Sequence, residues 1–169
     1  MSQSALFADG AAVFSPCEQY RYTLSRKWAQ SGRTLAMICL NPSTATATTS
    51  DPTVTRQVKR AHMLGYHKFV MLNLFAFRST DPAGLLTIAD PVGPDNDAHI
   101  AYEAQRAALL ICAWGSASPL VPDRAKRVLE ILADVGAKPH YLRMSETGQP
   151  WHPLYLPYSE QPKPWEVLS

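Results

Sequence analysis

The chain has 169 residues, 46% of them apolar and 18% charged, which is about one domain's length and too apolar for a chain disordered over most of its length. Sixteen Lys and Arg against fourteen Asp and Glu give a net charge of +2, which excludes a protein that coats nucleic acid through bulk charge and makes any such contact local. No apolar run reaches the ~18 residues of a membrane span, and the start MSQSALFADG lacks the basic-then-apolar layout of a secretory signal, so a cytoplasmic protein without a membrane partner is expected.

One α/β domain over residues 1–169 is expected. A Ser-Pro break after Phe14 is followed by Tyr20, Tyr22 and Leu24 alternating with Arg21, Thr23 and Ser25, which predicts a small N-terminal hairpin over residues 11–28. Leu35 to Leu40 is a continuous apolar run that ends at Asn41-Pro42, as in a strand covered on both faces. Asp51-Pro52 reads as a helix cap with proline in the first turn, and Val54, Val58, Ala61 and Leu64 give the apolar stripe of a helix that stops at Gly65. Lys68 to Leu72 is a second buried strand ending on Asn73, and a long loop follows from Phe75 to Pro94. Asp95, Asn96 or Asp97 caps a helix running to Arg106, Leu109 to Ala113 makes a third strand ending at Trp114-Gly115, and Arg124 to Val135 has helical spacing. His140 to Arg143 is a short fourth strand. The tail over residues 150–169 holds five of the fourteen prolines and is expected to pack on the domain in extended form.

Four strands alternating with helices predict a three-layer α/β/α arrangement around a four-stranded parallel sheet, whose ligands gather beyond the carboxyl ends of the strands. That rule points at Asn41, Asn73 and Trp114-Gly115. The eight glycines form neither a P-loop nor a G-x-G-x-x-G run, so the usual phosphate cradles are absent. Cys17, Cys39 and Cys112 lack C-x-x-C spacing and read as reduced thiols, and no cofactor is expected.

Met37-Ile38-Cys39-Leu40-Asn41-Pro42-Ser43, Val70-Met71-Leu72-Asn73, Leu110-Ile111-Cys112-Ala113-Trp114-Gly115-Ser116 and His152-Pro153-Leu154, in that order, resemble four segments of the uracil-DNA glycosylase superfamily. The resemblance implies a uracil-DNA glycosylase-like fold, a water-holding residue at Asn41, a base-edge reader at Asn73, a histidine facing the leaving base at His152 and a wedge at Leu154. The chain is also similar to an uncharacterised bacterial family, domain of unknown function family 1643. Tyr20-Arg21-Tyr22, Asn41-Pro42-Ser43-Thr44-Ala45, Asn73-Leu74-Phe75-Ala76 and His152-Pro153-Leu154-Tyr155-Leu156 carry that likeness, which fixes no reaction.

Releasing a base requires stabilising a sugar cation while water attacks and the base departs with negative charge. An amide can donate and accept at once, which suits Asn73 to base reading. Asn41 can hold water but cannot take its proton, so a carboxylate is needed, and Asp51, Asp81 and Asp95 are the candidates. Asp51 also reads as a helix cap and Asp81 as a turn former before a proline. His152 has the donor chemistry for charge developing on a leaving base. Pro42, Ser43, Thr44, Trp114 and Leu154 complete the ligand-facing set, and Arg21, Arg56, Lys59 and Arg60 are the candidates for phosphate contacts.

The leading expectation is a protein that processes nucleic-acid bases by hydrolysing an N-glycosidic bond, with DNA or a nucleotide as partner. A non-catalytic module binding a nucleotide or nucleic acid is the alternative, and a metal-dependent hydrolase using Asp81, Asp95, Asp97 and His99 is a third.

Overall fold

The computed structural model describes residues 9–167. The first eight residues, on which most of the leader reading rests, and the final two lie outside the described residues. Eleven elements follow in chain order: β1 Asp9–Phe14, β2 Arg21–Lys27, β3 Thr34–Cys39, α1 Pro52–Met63, β4 Lys68–Asn73, a short 3-10 helix Pro82–Leu86, α2 Asn96–Arg106, β5 Leu109–Cys112, α3 Val121–Asp134, β6 Pro139–Tyr141 and β7 Lys163–Pro164.

The strands form one seven-stranded sheet in the order β1-β2-β4-β3-β5-β6-β7. It is mixed: β3 pairs parallel with β4 and β5, and β5 with β6, whereas β1/β2, β2/β4 and β6/β7 are antiparallel. This corrects the expected four-stranded parallel sheet and the uracil-DNA glycosylase-like fold attached to it. Two local causes explain the difference. β2 runs antiparallel beside β4, with Leu24 opposite Met71 and Lys27 opposite Lys68, so the N-terminal strand pair extends the sheet. β7 pairs with β6 through His140 and Pro164, and the sheet's edge tolerates a proline because no outward N–H is needed there.

Helices cover both faces. On one, Val54, Val58 and Ala61 of α1 pack with Leu35, Met37, Phe69, Met71 and Ile111. On the other, Ile100 and Ala104 of α2 join Val121, Ala125, Val128, Ile131 and Leu132 of α3 against Ile38, Val70, Leu72, Leu110 and Cys112. Alternate residues of β3 and β4 thus enter opposite clusters, the period-two consequence of strand geometry. The start of α1 has a clear sequence cause, and that of α2 differs from it. The Asp51 carboxylate accepts from the Val54 amide at 2.9 Å ahead of Pro52. At α2 the Asp95 side chain makes no cap bond; Asn96 turns inward, and its Nδ2 donates to the carbonyls of Asn73 and Leu74. No helix among the described residues is long and apolar enough to cross a membrane.

A candidate active site at the ends of two central strands

β3 and β5 lie side by side, and the chain leaves both at the same edge, so the Asn41-to-Thr44 loop and the Trp114-Gly115 turn emerge together. Between them opens a cavity of about 490 Å³. Asn41, Ser43 and Thr44 form its wall after β3, Gly115 and Ser116 its wall after β5, and Asp51 at the start of α1 a third side. His152 and Leu154 come from the tail, while Arg21, Cys39 and Met71 belong to the strands below.

The tail is anchored by the turn after β5. Gly115 has φ +68, a conformation glycine adopts without strain, and a Cβ there would sit 3.4 Å from the His152 Cβ. Its amide donates to the Pro150 carbonyl at 2.8 Å, and the buried Trp114 Nε1 donates to Gln149 Oε1 at 2.8 Å. The tryptophan-glycine turn is therefore the seat on which His152 rests.

On the far side, α1 grips the same segment. Arg56 Nη2 donates to the Leu156 carbonyl at 2.6 Å, Arg60 donates to the carbonyls of Leu156 and Pro157 at 2.9 and 3.1 Å, and Arg60 Nε donates to Gln57 Oε1. The guanidinium of Arg56 and the ammonium of Lys59 lie 4.3 and 5.1 Å from the centroid of the Tyr158 ring. These three basic residues, expected to contact phosphates, do not line the cavity; Arg56 and Arg60 hold the chain that carries His152.

Electrostatics divide the cavity. His152 stands at the mouth with Nδ1 accepting from the Leu154 amide at 3.3 Å, which leaves Nε2 to carry the proton of the neutral ring. Desolvation against the wall lowers its pKa from the ordinary histidine value, and the Asp51 charge opposes that shift. Beneath, Arg21 is only 1% exposed, and burial pulls its pKa down to about 10, again against the pull of Asp51. The Cys39 thiol is pushed up to about 12 by burial, which makes it a poor nucleophile at neutral pH.

The remaining expected residues divide between the cavity and positions away from it. Asn73, 1% exposed, ends β4 opposite Cys39 and does not line the cavity, and its Oδ1 and Nδ2 are both buried without hydrogen-bond partners. Pro42 is buried behind the wall, where its carbonyl accepts from the Ser79 amide. Asp81 caps the 3-10 helix through the Ala83 amide, and Trp114 touches the cavity from a fully buried position. Asn41 reaches the cavity, but its Nδ2 donates to the Ser79 and Pro42 carbonyls at 2.8 and 3.2 Å, so its Oδ1 is the atom left to act on a ligand. Asp97 pairs with Arg124 at 2.6 Å and His99 stacks on Tyr22, and no group of three or more His, Cys, Asp or Glu among the described residues is placed to hold a metal ion. Ser79, Thr80 and Ser116 also line the cavity, although sequence reasoning did not single them out. Their signal was position: two lie in the loop beyond β4 and one directly after the tryptophan-glycine turn.

An α/β protein with a cavity carrying several polar side chains at the carboxyl edge of its parallel strands is thus the class that fold and site define. Within it, a family model described as Protein of unknown function (DUF1643) matches residues 21–154, and the chain belongs to that family. No curated protein and no solved structure matches the chain. The likeness to uracil-DNA glycosylases drawn from four short segments has no counterpart in these comparisons.

Proposed function

We propose that the cavity hydrolyses an N-glycosidic bond in a substrate bearing a nucleobase. The observation that carries this reading is the presence of the Asp51 carboxylate and the His152 imidazole in one cavity, close enough for the charge of one to act on the other. Asp51 takes the proton of a water that attacks C1′. The electron pair of the broken C–N bond leaves with the base, and His152 Nε2–H donates to the base oxygen on which the charge develops. Asn41 accepts a hydrogen bond from the same water through Oδ1 and so orients it. The hydroxyls of Ser43, Thr44 and Ser116 supply further polar partners for a sugar or base.

The test is release of free base, measured chromatographically, from uridine, uridine 5′-monophosphate, and single- and double-stranded oligonucleotides containing uracil, hypoxanthine or mismatched thymine. Release that disappears in Asp51→Asn is the expected result. Binding without release from any substrate would replace the enzyme with the second reading, a nucleotide-binding module. That reading is favoured by one observation: the Asp51 carboxylate is already engaged in capping α1.

A further inference from the structure

β2 carries two arginines into the interior, and α1 a third, but the three are not served alike. Arg60 places Nε, Nη1 and Nη2 on oxygens of Gln57, Pro157 and Leu156. Arg26 donates through Nε, Nη1 and Nη2 to oxygens of the chain around Ser25 and residues 46–50. Arg21 is different. Nη1 donates to the Ala45 carbonyl at 3.0 Å and Nη2 to the weak acceptor Met71 Sδ at 3.5 Å, while Nε is buried with no partner. Among the described residues Arg21 makes no ion pair within 4.0 Å, and it lines the cavity.

A buried guanidinium without a contact anion bears a desolvation penalty that its neighbours offset only in part. Such a group becomes favourable once a ligand delivers the missing negative charge together with an acceptor for the idle N–H. Asp51 does not fill that role, because its Oδ1 is held by the Val54 amide and no bond joins it to Arg21. The volume of about 490 Å³ is of the size that holds one nucleotide rather than a strand. The basic side chains of α1 that would follow a longer backbone are engaged on the tail.

We infer that Arg21 is the floor of a phosphate subsite and that the ligand is a nucleoside monophosphate, its terminal phosphate directed at Arg21. The inference rests on the proposed reading for the nucleoside part of the ligand, while the phosphate part rests on Arg21 alone. Phosphate monoester chemistry is shared by the nucleotide and by free inorganic phosphate, so the experiment carries both.

Thermal unfolding and calorimetric titration are run with uridine 5′-monophosphate, uridine and inorganic phosphate on the wild-type chain, Arg21→Met and Arg21→Lys. The monophosphate should raise the wild-type melting temperature and bind ~10- to 100-fold more tightly than uridine, the difference expected for a charge-assisted hydrogen bond to a buried cation. Arg21→Met should abolish that difference while the unliganded protein stays folded, since exchanging an unpaired buried charge for an apolar side chain relieves desolvation. Arg21→Lys, which keeps the charge, should retain part of the preference and covers the case in which Arg21→Met fails to fold. Inorganic phosphate that stabilises the wild type as well as the monophosphate does would place the affinity in the anion alone and overturn the nucleotide assignment. Equal affinity for uridine and its monophosphate, or no binding of any probe, overturns the inference. Arg21-dependent binding without base release would leave the subsite standing and defeat only the hydrolytic reading.

Discussion

Asp51 holds two positions at once, helix cap and cavity carboxylate, and substitution can separate them. Asn caps a helix about as well as Asp, so Asp51→Asn should leave the melting temperature within a degree or two of the wild type while removing base release. Asp51→Ala should lose both the activity and ~1 kcal/mol of stability, read from denaturant unfolding. His152 gives a pH signature. Its folded-state pKa lies below the unfolded value because partial desolvation at the cavity mouth disfavours the cation more than the Asp51 charge favours it, so between those two values the unfolded chain binds more protons. Stability should then fall as pH drops through the ordinary histidine range and level off below the folded value. His152→Gln should flatten that part of the profile, and an unchanged slope would show that other groups set it. At Gly115, φ +68 is strained for any residue with a Cβ, so Gly115→Ala should cost ~1 kcal/mol and disturb the turn whose amide holds the Pro150 carbonyl ahead of His152. Its activity should fall further than that loss of stability alone accounts for.

At the scale of elements, α1 is the part on which most depends: its first residue follows the cap that enters the cavity, and its basic face retains the tail. Arg60→Met would leave the Leu156 carbonyl with Arg56 alone and the Pro157 carbonyl and Gln57 Oε1 without this donor. The expected cost is roughly 2 kcal/mol, with protease cleavage appearing first in the segment after Pro150. Elements of this kind are where sequence was most readable. Asp51-Pro52 and the Val54-Val58-Ala61 spacing located α1, and the apolar runs at Leu35 and Lys68 located β3 and β4, because local capping and burial set those boundaries. Sequence failed where distant partners decide. The alternation of Tyr22 and Leu24 with Arg21 and Thr23 predicts a small hairpin, yet all four are buried, since β2 lies between β1 and β4 inside the seven-stranded sheet. No periodicity signals a two-residue β7 next to prolines. Asn41 and Asp51 could be placed together from sequence because one follows β3 and the other precedes α1, whereas His152 lies in a tail segment far from any element and only the resemblance singled it out. Arg21, expected as a phosphate contact, is buried beneath the cavity, a placement that no local pattern signals because β4 supplies it.

Across the whole molecule, the residues of the cavity come from Arg21 near one end of the chain, from the middle, and from His152 near the other. The bond from Arg56 to Leu156 closes a separation of 100 residues. Closing a loop of that length is an entropic cost met late, after local helices and neighbouring strands have formed. Pulse-labelled hydrogen exchange during refolding should therefore show the Trp151 amide, which donates to the Arg143 carbonyl at 2.8 Å, gaining protection after helical circular dichroism has recovered. Simultaneous recovery of both signals would argue against that order. During synthesis the same geometry acts as a timing device: a ribosome-bound chain can complete β3, α1 and β4 while the segment bearing His152 is still inside the exit tunnel. The cavity gains its His152 side only after the segment that follows β6 has left the tunnel, so chains arrested before that point would hold the sheet with its opening incomplete.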